Sequence, residues 1–160
     1  MHSSDVHLRE YRREDLEAIV ALDALCFALP FRFTRSAMRR FAEAEDAWTR
    51  LAIVDGKLAG FIIVHREEIS AAEAGYLVTI DVAQEYRQQG IGRLMLLTAE
   101  EAFAASGATA MLLHVYTKNQ EAISFYERNG YQRGDEESGF YGPGMDAALY
   151  WKDLSRQSAA

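Results

Sequence analysis

One cysteine, Cys26, stands in 160 residues. No disulfide can therefore close within the chain, and a reducing compartment, the cytoplasm, is the simplest expectation. Long apolar runs are missing too. No stretch approaches the ~20 apolar residues that span a bilayer, and the opening Met1-His-Ser-Ser-Asp lacks the apolar core of a secretory signal. Basic residues are in deficit: 17 Lys and Arg against 24 Asp and Glu give a formal charge of −7. Nucleic-acid binding is usually announced by a basic excess, so neither nucleic acid nor membrane is the expected partner. The four histidines, at positions 2, 7, 65 and 114, are scattered without ligand spacing, and no metal is expected. An anionic ligand would need a locally basic pocket, while an acidic surface suits a cationic acceptor such as an amine.

What is present is a chain that is 49% apolar, long enough for a sizeable core. One domain is expected over residues 1–154, with 155–160 as a frayed tail. Alternation marks a first strand over Val6–Tyr11, and helical periodicity a helix over Glu14–Phe27. Thr34 is the expected N-cap of a second helix. Trp48–Val54 and Lys57–Val64 read as strands joined by Asp55-Gly56, a strong two-residue hairpin signal. Gly75–Val82 is a central strand, and Ile91, Leu94, Met95, Thr98 and Ala102 mark the buried face of a third helix. Thr109–Tyr116 is another strand. Thr117-x-x-Gln120 could cap a fourth helix that ends near Asn129-Gly130. A short strand from Tyr131, a polar loop with Gly139, Gly142, Pro143 and Gly144, and a last strand over Asp146–Trp151 complete the chain. This order predicts an α/β fold: a mixed, mostly antiparallel sheet with one parallel crossover and helices on both faces.

The most informative stretch is Arg87-Gln88-Gln89-Gly90-Ile91-Gly92, between the central strand and the third helix. Glycines at such a junction let backbone N–H groups approach an anion, and the helix N-terminus adds partial positive charge. A dinucleotide fingerprint would need glycine where Met95 stands, and a P-loop would need Gly-Lys-Ser/Thr. What remains is Arg-x-x-Gly-x-Gly, a candidate phosphate or pyrophosphate turn flanked by Arg87 and Arg93. Downstream comes Asn119-x-x-Ala122-x-x-Phe125-Tyr126, then Gly130-Tyr131. The two motifs, in this order and separated by a strand, resemble the GCN5-related N-acetyltransferase (GNAT) family, above all enzymes that acetylate protein N-termini, including ribosomal-protein alanine acetyltransferases. The resemblance covers residues 6–153.

Several expectations follow from that resemblance. The sheet would splay between its fourth and fifth strands, and acetyl-CoA would be the cosubstrate. Ile80 and Val82 would meet the pantetheine arm. Arg87, Gln88, Gln89, Gly90, Ile91, Gly92 and Arg93 would hold pyrophosphate, and Asn119 would hydrogen-bond the cofactor. Tyr126 corresponds to the tyrosine that protonates the departing thiolate, and a backbone N–H near Val82 would stabilise the oxyanion. Leu113-His114-Val115 resembles a type of N-terminal acetyltransferase whose strand histidine works with a tyrosine on the preceding strand, here Tyr76. Phe27 and Phe31, in an aromatic loop, and Tyr141, which follows Phe140 in the late glycine-rich segment, would contact the acceptor.

Acetyl transfer to an amine requires an ammonium to lose its proton, a thioester carbonyl to be polarised and a thiolate to leave. Direct attack needs no Ser or Cys nucleophile, and Cys26 reads as a small buried apolar residue. An ordinary histidine near pKa ~6.5 is better matched to an α-amine near ~8 than to lysine near ~10.4; holding lysine neutral costs roughly 3 kcal/mol more. Burial in the site could offset that cost, so base strength only leans towards α-amines; the resemblance implies a peptide or protein N-terminus as the acceptor. A small-molecule amine acetyltransferase and a non-catalytic acyl-CoA sensor remain alternatives.

Overall fold

The computed structural model describes residues 5–155. His2 and positions 156–160 of the expected tail lie outside the described residues. Seven strands form one sheet in the order β1-β2-β3-β4-β5-β7-β6: β1 is Val6–Glu10, β2 Ala47–Val54, β3 Lys57–Ile69, β4 Ala72–Val82, β5 Ala110–Tyr116, β6 Gln132–Gly142 and β7 Met145–Asp153. The helices are α1 (Leu16–Cys26), α2 (Arg35–Ala42), α3 (Ile91–Ala105) and α4 (Gln120–Arg128). The α/β class, the predominance of antiparallel pairs and the parallel crossover are as expected. β4 and β5 run parallel with Ala74–Tyr76 registered on Ala110–Leu112. β4 continues to Val82 and β5 to Tyr116.

The chain folds into two compact units. The first comprises the chain through His65 together with Val78–Ala99. Its core packs Leu16, Ile19 and Leu22 of α1 with Met38 of α2 and Leu51, Phe61 and Ile63 of the β2–β3 hairpin. The hairpin turns on Asp55 and Gly56, both at positive φ (51° and 76°), as the Asp-Gly signal requires. Thr34 caps α2 by accepting from the Ala37 N–H at 3.1 Å. The second unit comprises Arg66–Leu77 and the chain from Glu100 onwards. Met111, Leu113, Tyr150 and Ala147 are fully or almost fully buried there. Glu100 is buried as well, held by Lys152 Nζ at 2.7 Å and the Tyr131 hydroxyl at 2.8 Å.

Local expectations fail in four places. α1 is shorter than expected, because Arg13–Asp15 form a 3₁₀ turn before it. A second hairpin joins β3 to β4 at Ser70-Ala71, at φ 50° and 68°, without the glycine that advertises such turns. The short strand expected from Tyr131 runs on through much of the expected polar loop as the long, exposed strand β6, joined to β7 through Pro143-Gly144. α3 buries Ile91, Met95, Leu96, Ala99 and Phe103, whereas Leu94 is 39% exposed. Thr98 turns its hydroxyl back to the Leu94 carbonyl at 2.7 Å. A stripe that includes the charge of Glu100 is not visible as apolar periodicity.

Candidate active site

In the first unit, β4 leads through a 3₁₀ turn (Gln84–Tyr86) into the glycine segment. Gln88 takes φ 63° and Gly90 φ 79°, so two left-handed residues fold the chain back before α3 begins at Ile91. A Cβ at Gly90 would meet nothing within 4 Å, so its requirement for glycine is conformational. The space beside the turn is open. The first helical bond runs from the Leu94 N–H to the Gly90 carbonyl at 2.9 Å. The N–H groups that open α3 therefore lack helical acceptors and form an anion-binding end. Arg87, Gln88, Gln89 and Arg93 are exposed, Gly92 is half-buried and Ile91 is buried as an anchor. The Arg87 Nε donates to the Val82 carbonyl at 3.0 Å, which holds the guanidinium charge beside the turn. The open turn, the helix end and two arginines fit a pyrophosphate.

Along β4, Ile80 and Val82 are half-buried while Thr79 and Asp81 point to the buried face. The Cys26 thiol reaches the Val82 carbonyl at 3.5 Å, and burial raises its pKa. It is a neutral thiol, as expected of a packing residue. Phe27 and Phe31 are half-buried in the loop after α1. Phe33 packs on Phe41, with ring centroids 5.2 Å apart, and so belongs to the core.

In the second unit, the expected tyrosine–histidine pair meets. Tyr76 Oη lies 2.7 Å from His114 Nδ1, set by the short parallel register of β4 on β5. Alternation explains why both side chains emerge on one face: their strand neighbours Gly75, Leu77, Leu113 and Val115 are buried. Burial raises the Tyr76 pKa, helped by Tyr141, Glu67 and Glu137, so its hydroxyl keeps its proton. On the other edge of the imidazole, Nε2 lies 3.2 Å from Glu137 Oε1 of β6. Phe140 stacks on the ring at 4.3 Å and 19°. The Tyr141 hydroxyl donates to the His114 carbonyl at 3.2 Å, and burial pushes its pKa up to about 12. The structure thus brings Tyr76, His114, Phe140 and Tyr141 together and adds Glu137, which sequence reasoning missed. Its signal was hidden because the segment reads as a short strand followed by a polar loop, which names no partner for His114.

α4 carries the remaining two candidates. Asn119, not Thr117, caps the helix: its Oδ1 accepts from the Ala122 N–H at 3.1 Å. Tyr126 is buried, with its ring edge-on to Phe125 and Tyr131 at 5.3 and 5.8 Å. Gly130, at φ 91°, ends the helix as expected. Among the described residues no cluster of His, Cys, Asp or Glu could hold a metal ion, and no helix is long and apolar enough to cross a membrane.

Comparison with known proteins agrees with this geometry. Residues 16–131 match the model of the acetyltransferase (GNAT) family. An N-alpha-acetyltransferase of Saccharolobus solfataricus is 26% identical over 161 residues, spanning 94% of each chain. The crystal structure of the ribosomal-protein-S18-alanine N-acetyltransferase from Escherichia coli superposes with a TM-score of 0.81 at 21% identity, over 94% of this chain and 95% of that one. Arabidopsis thaliana Naa50 in complex with the bisubstrate analogue CoA-Ac-MVNAL gives 0.79 at 26% identity, over 92% and 97%. The chain belongs to the GNAT acetyltransferase family and is an acetyltransferase.

Proposed function

We propose that the protein uses acetyl-CoA to acetylate the N-terminal α-amine of a peptide or protein. The observation that carries this reading is the Tyr76–His114 pair, a phenol and an imidazole at 2.7 Å on adjacent parallel strands. Two kinds of likeness support it. A relative aligned over nearly its whole length is an N-alpha-acetyltransferase, and a structural neighbour holds CoA joined through acetyl to a peptide.

Acetyl-CoA supplies the thioester carbonyl. The turn from Arg87 to Arg93 binds its pyrophosphate through backbone N–H groups and guanidinium charge. Ile80 and Val82 line the pantetheine arm. Asn119, its carbonyl committed to the helix cap, meets the cofactor through its NH₂ group. The Tyr76–His114 pair takes the proton that the acceptor ammonium must lose. Tyr126 protonates the departing thiolate. Phe27, Phe31 and Tyr141 contact the acceptor.

The test is incubation with acetyl-CoA and a mixed library of short peptides and small amines. Free CoA is followed, and the acetyl group is located by fragment mass spectrometry. Acetyl on peptide α-amines is the expected result. Acetyl on small amines alone would replace the acceptor assignment, and CoA binding without transfer to any acceptor would support a sensor instead.

A further inference from the structure

Both nitrogens of His114 are engaged, and the chemistry of each neighbour decides which carries hydrogen. A neutral imidazole has one N–H and one lone pair. Glu137 Oε1, 3.2 Å from Nε2, is a carboxylate oxygen and only accepts, so Nε2 bears the hydrogen. The lone pair is then on Nδ1, 2.7 Å from the Tyr76 hydroxyl, which donates to it. Phe140, stacked at 19°, and Tyr141, bonded to the His114 carbonyl, fix the plane and height of the ring. A neutral His114 held this way has no lone pair left for an acceptor amine. The Tyr76 oxygen does, because donating one hydrogen bond leaves it free to accept another.

We propose that Glu137 is a positioning residue that completes a Tyr76–His114–Glu137 relay, in which the phenolic oxygen of Tyr76, rather than His114 itself, takes the proton from the acceptor ammonium. This rests on the assignment of Tyr76 and His114 as the proton-accepting pair. The ammonium N–H proton passes to Tyr76 Oη as the Tyr76 proton passes to His114 Nδ1. Tyr76 ends neutral, and the positive charge moves from the ammonium to an imidazolium that Glu137 faces. The free amine then attacks: the N–C bond forms and the C–S bond breaks. The second amine proton leaves with the thiolate as CoA thiol, and His114 returns its proton to water.

Other charged and titratable groups border the pair. Glu67 of β3 and Tyr141 of β6 both act on Tyr76, but Glu137 is the group that contacts the imidazole. It is also the one reached by mutation at low risk to folding, since its side chain is 54% exposed against 13% for His114.

Two substitutions separate its charge from its geometry. Glu137→Gln keeps an acceptor oxygen and removes the charge. It should preserve the Nε2–H tautomer in ¹⁵N NMR and lower kcat/KM several-fold. The acid limb of the pH profile should move down by about 0.2–0.7 units, the range for a partly exposed charge pair. Glu137→Ala removes both and should add a mixture of tautomers, with acetyl-CoA affinity unchanged in each case. A wild-type enzyme in the Nδ1–H form, or a Glu137→Gln profile superimposable on wild type, would overturn the relay. Tyr76→Phe and His114→Ala distinguish the two levels. If they slow turnover by about 100-fold or more while the Glu137 variants do nothing, only the relay fails. If they also do nothing, the catalytic pair fails with it.

Discussion

Replacing Asp81 with Asn should make this protein more stable at neutral pH, against the usual expectation for a buried polar substitution. Asp81 and Asp23 are 1% and 0% exposed. Asp81 Oδ1 accepts from the Thr79 hydroxyl at 2.7 Å and Asp23 Oδ2 from the Phe33 N–H at 2.8 Å. Their other oxygens, Asp81 Oδ2 and Asp23 Oδ1, are buried without a hydrogen-bond partner. Burial, and then the neighbouring Asp23 carboxyl, raise the Asp81 pKa well above the carboxylate range; Thr79 and Arg87 oppose this. Cys26, the other titratable neighbour, is a neutral thiol.

A carboxyl whose folded pKa is raised contributes stability that is complete below its unfolded pKa, near ~3.9, and is lost as pH rises through the folded value. While the folded state retains a proton that the unfolded state has released, each pH unit costs about 1.4 kcal/mol. Over that range the wild type should therefore lose stability that Asp81→Asn does not lose. Its amide carries no charge at any pH and its NH₂ can donate to Asp23. For a domain of this size ~1.4 kcal/mol is about 3–6 °C in melting temperature. Calorimetry of both proteins at pH 5, 6, 7 and 8 checks it. The curves should converge at low pH and separate with rising pH, the variant melting higher. Parallel pH dependences would refute a proton held on buried Asp81.

Other perturbations read other parts of the molecule. Gly90→Ala forces a side chain into the left-handed region at φ 79°, at a cost of about 1–2 kcal/mol; calorimetric titration should show weaker acetyl-CoA binding, since the N–H groups of the turn must move. Arg87→Ala should weaken the same binding several-fold and more steeply at low salt, and an unchanged affinity would remove its phosphate role. Tyr126→Phe should slow turnover while leaving acetyl-CoA affinity nearly intact, separable by stopped assays and titration. Lys152→Met takes the cation from beside Glu100, which is 0% exposed, and should cost about 3–5 kcal/mol in urea denaturation.

Much of this architecture is legible from the sequence where local chemistry and global fold agree. Asp55-Gly56 names its own turn, and Thr34 its own cap. The glycine segment is readable because an anion site made of backbone needs residues without side chains in the way, and composition records that directly. Tyr76 and His114 are legible only as a pair: each alone is an ordinary strand residue, and no spacing rule predicts that β4 and β5 would register Tyr76 on Leu112. Other features depend on contacts that periodicity does not encode. Ser70-Ala71 turns without glycine because the strands on both sides impose it. Glu100 lies on the buried stripe of α3 because Lys152, remote in sequence, neutralises it.

The same reasoning accounts for Glu137. Its segment, Gln132–Gly142, is polar and glycine-containing, so alternation gives no inward face and the chain reads as a short strand that soon gives way to a loop. It becomes a strand because β7, with Ala147, Ala148 and Tyr150 buried, offers a partner edge. An exposed strand held by one neighbour tolerates acidic side chains, which also discourage further pairing. Glu137 therefore costs the fold little where it stands, and its position 3.2 Å from His114 Nε2 is free to be set by chemistry. That independence has a measurable consequence. Glu137→Gln should leave the melting temperature within about 1–2 °C of wild type, as surface changes of about 0.5 kcal/mol do, while the pH profile moves. A large loss of stability would mean that the carboxylate serves the sheet rather than the imidazole.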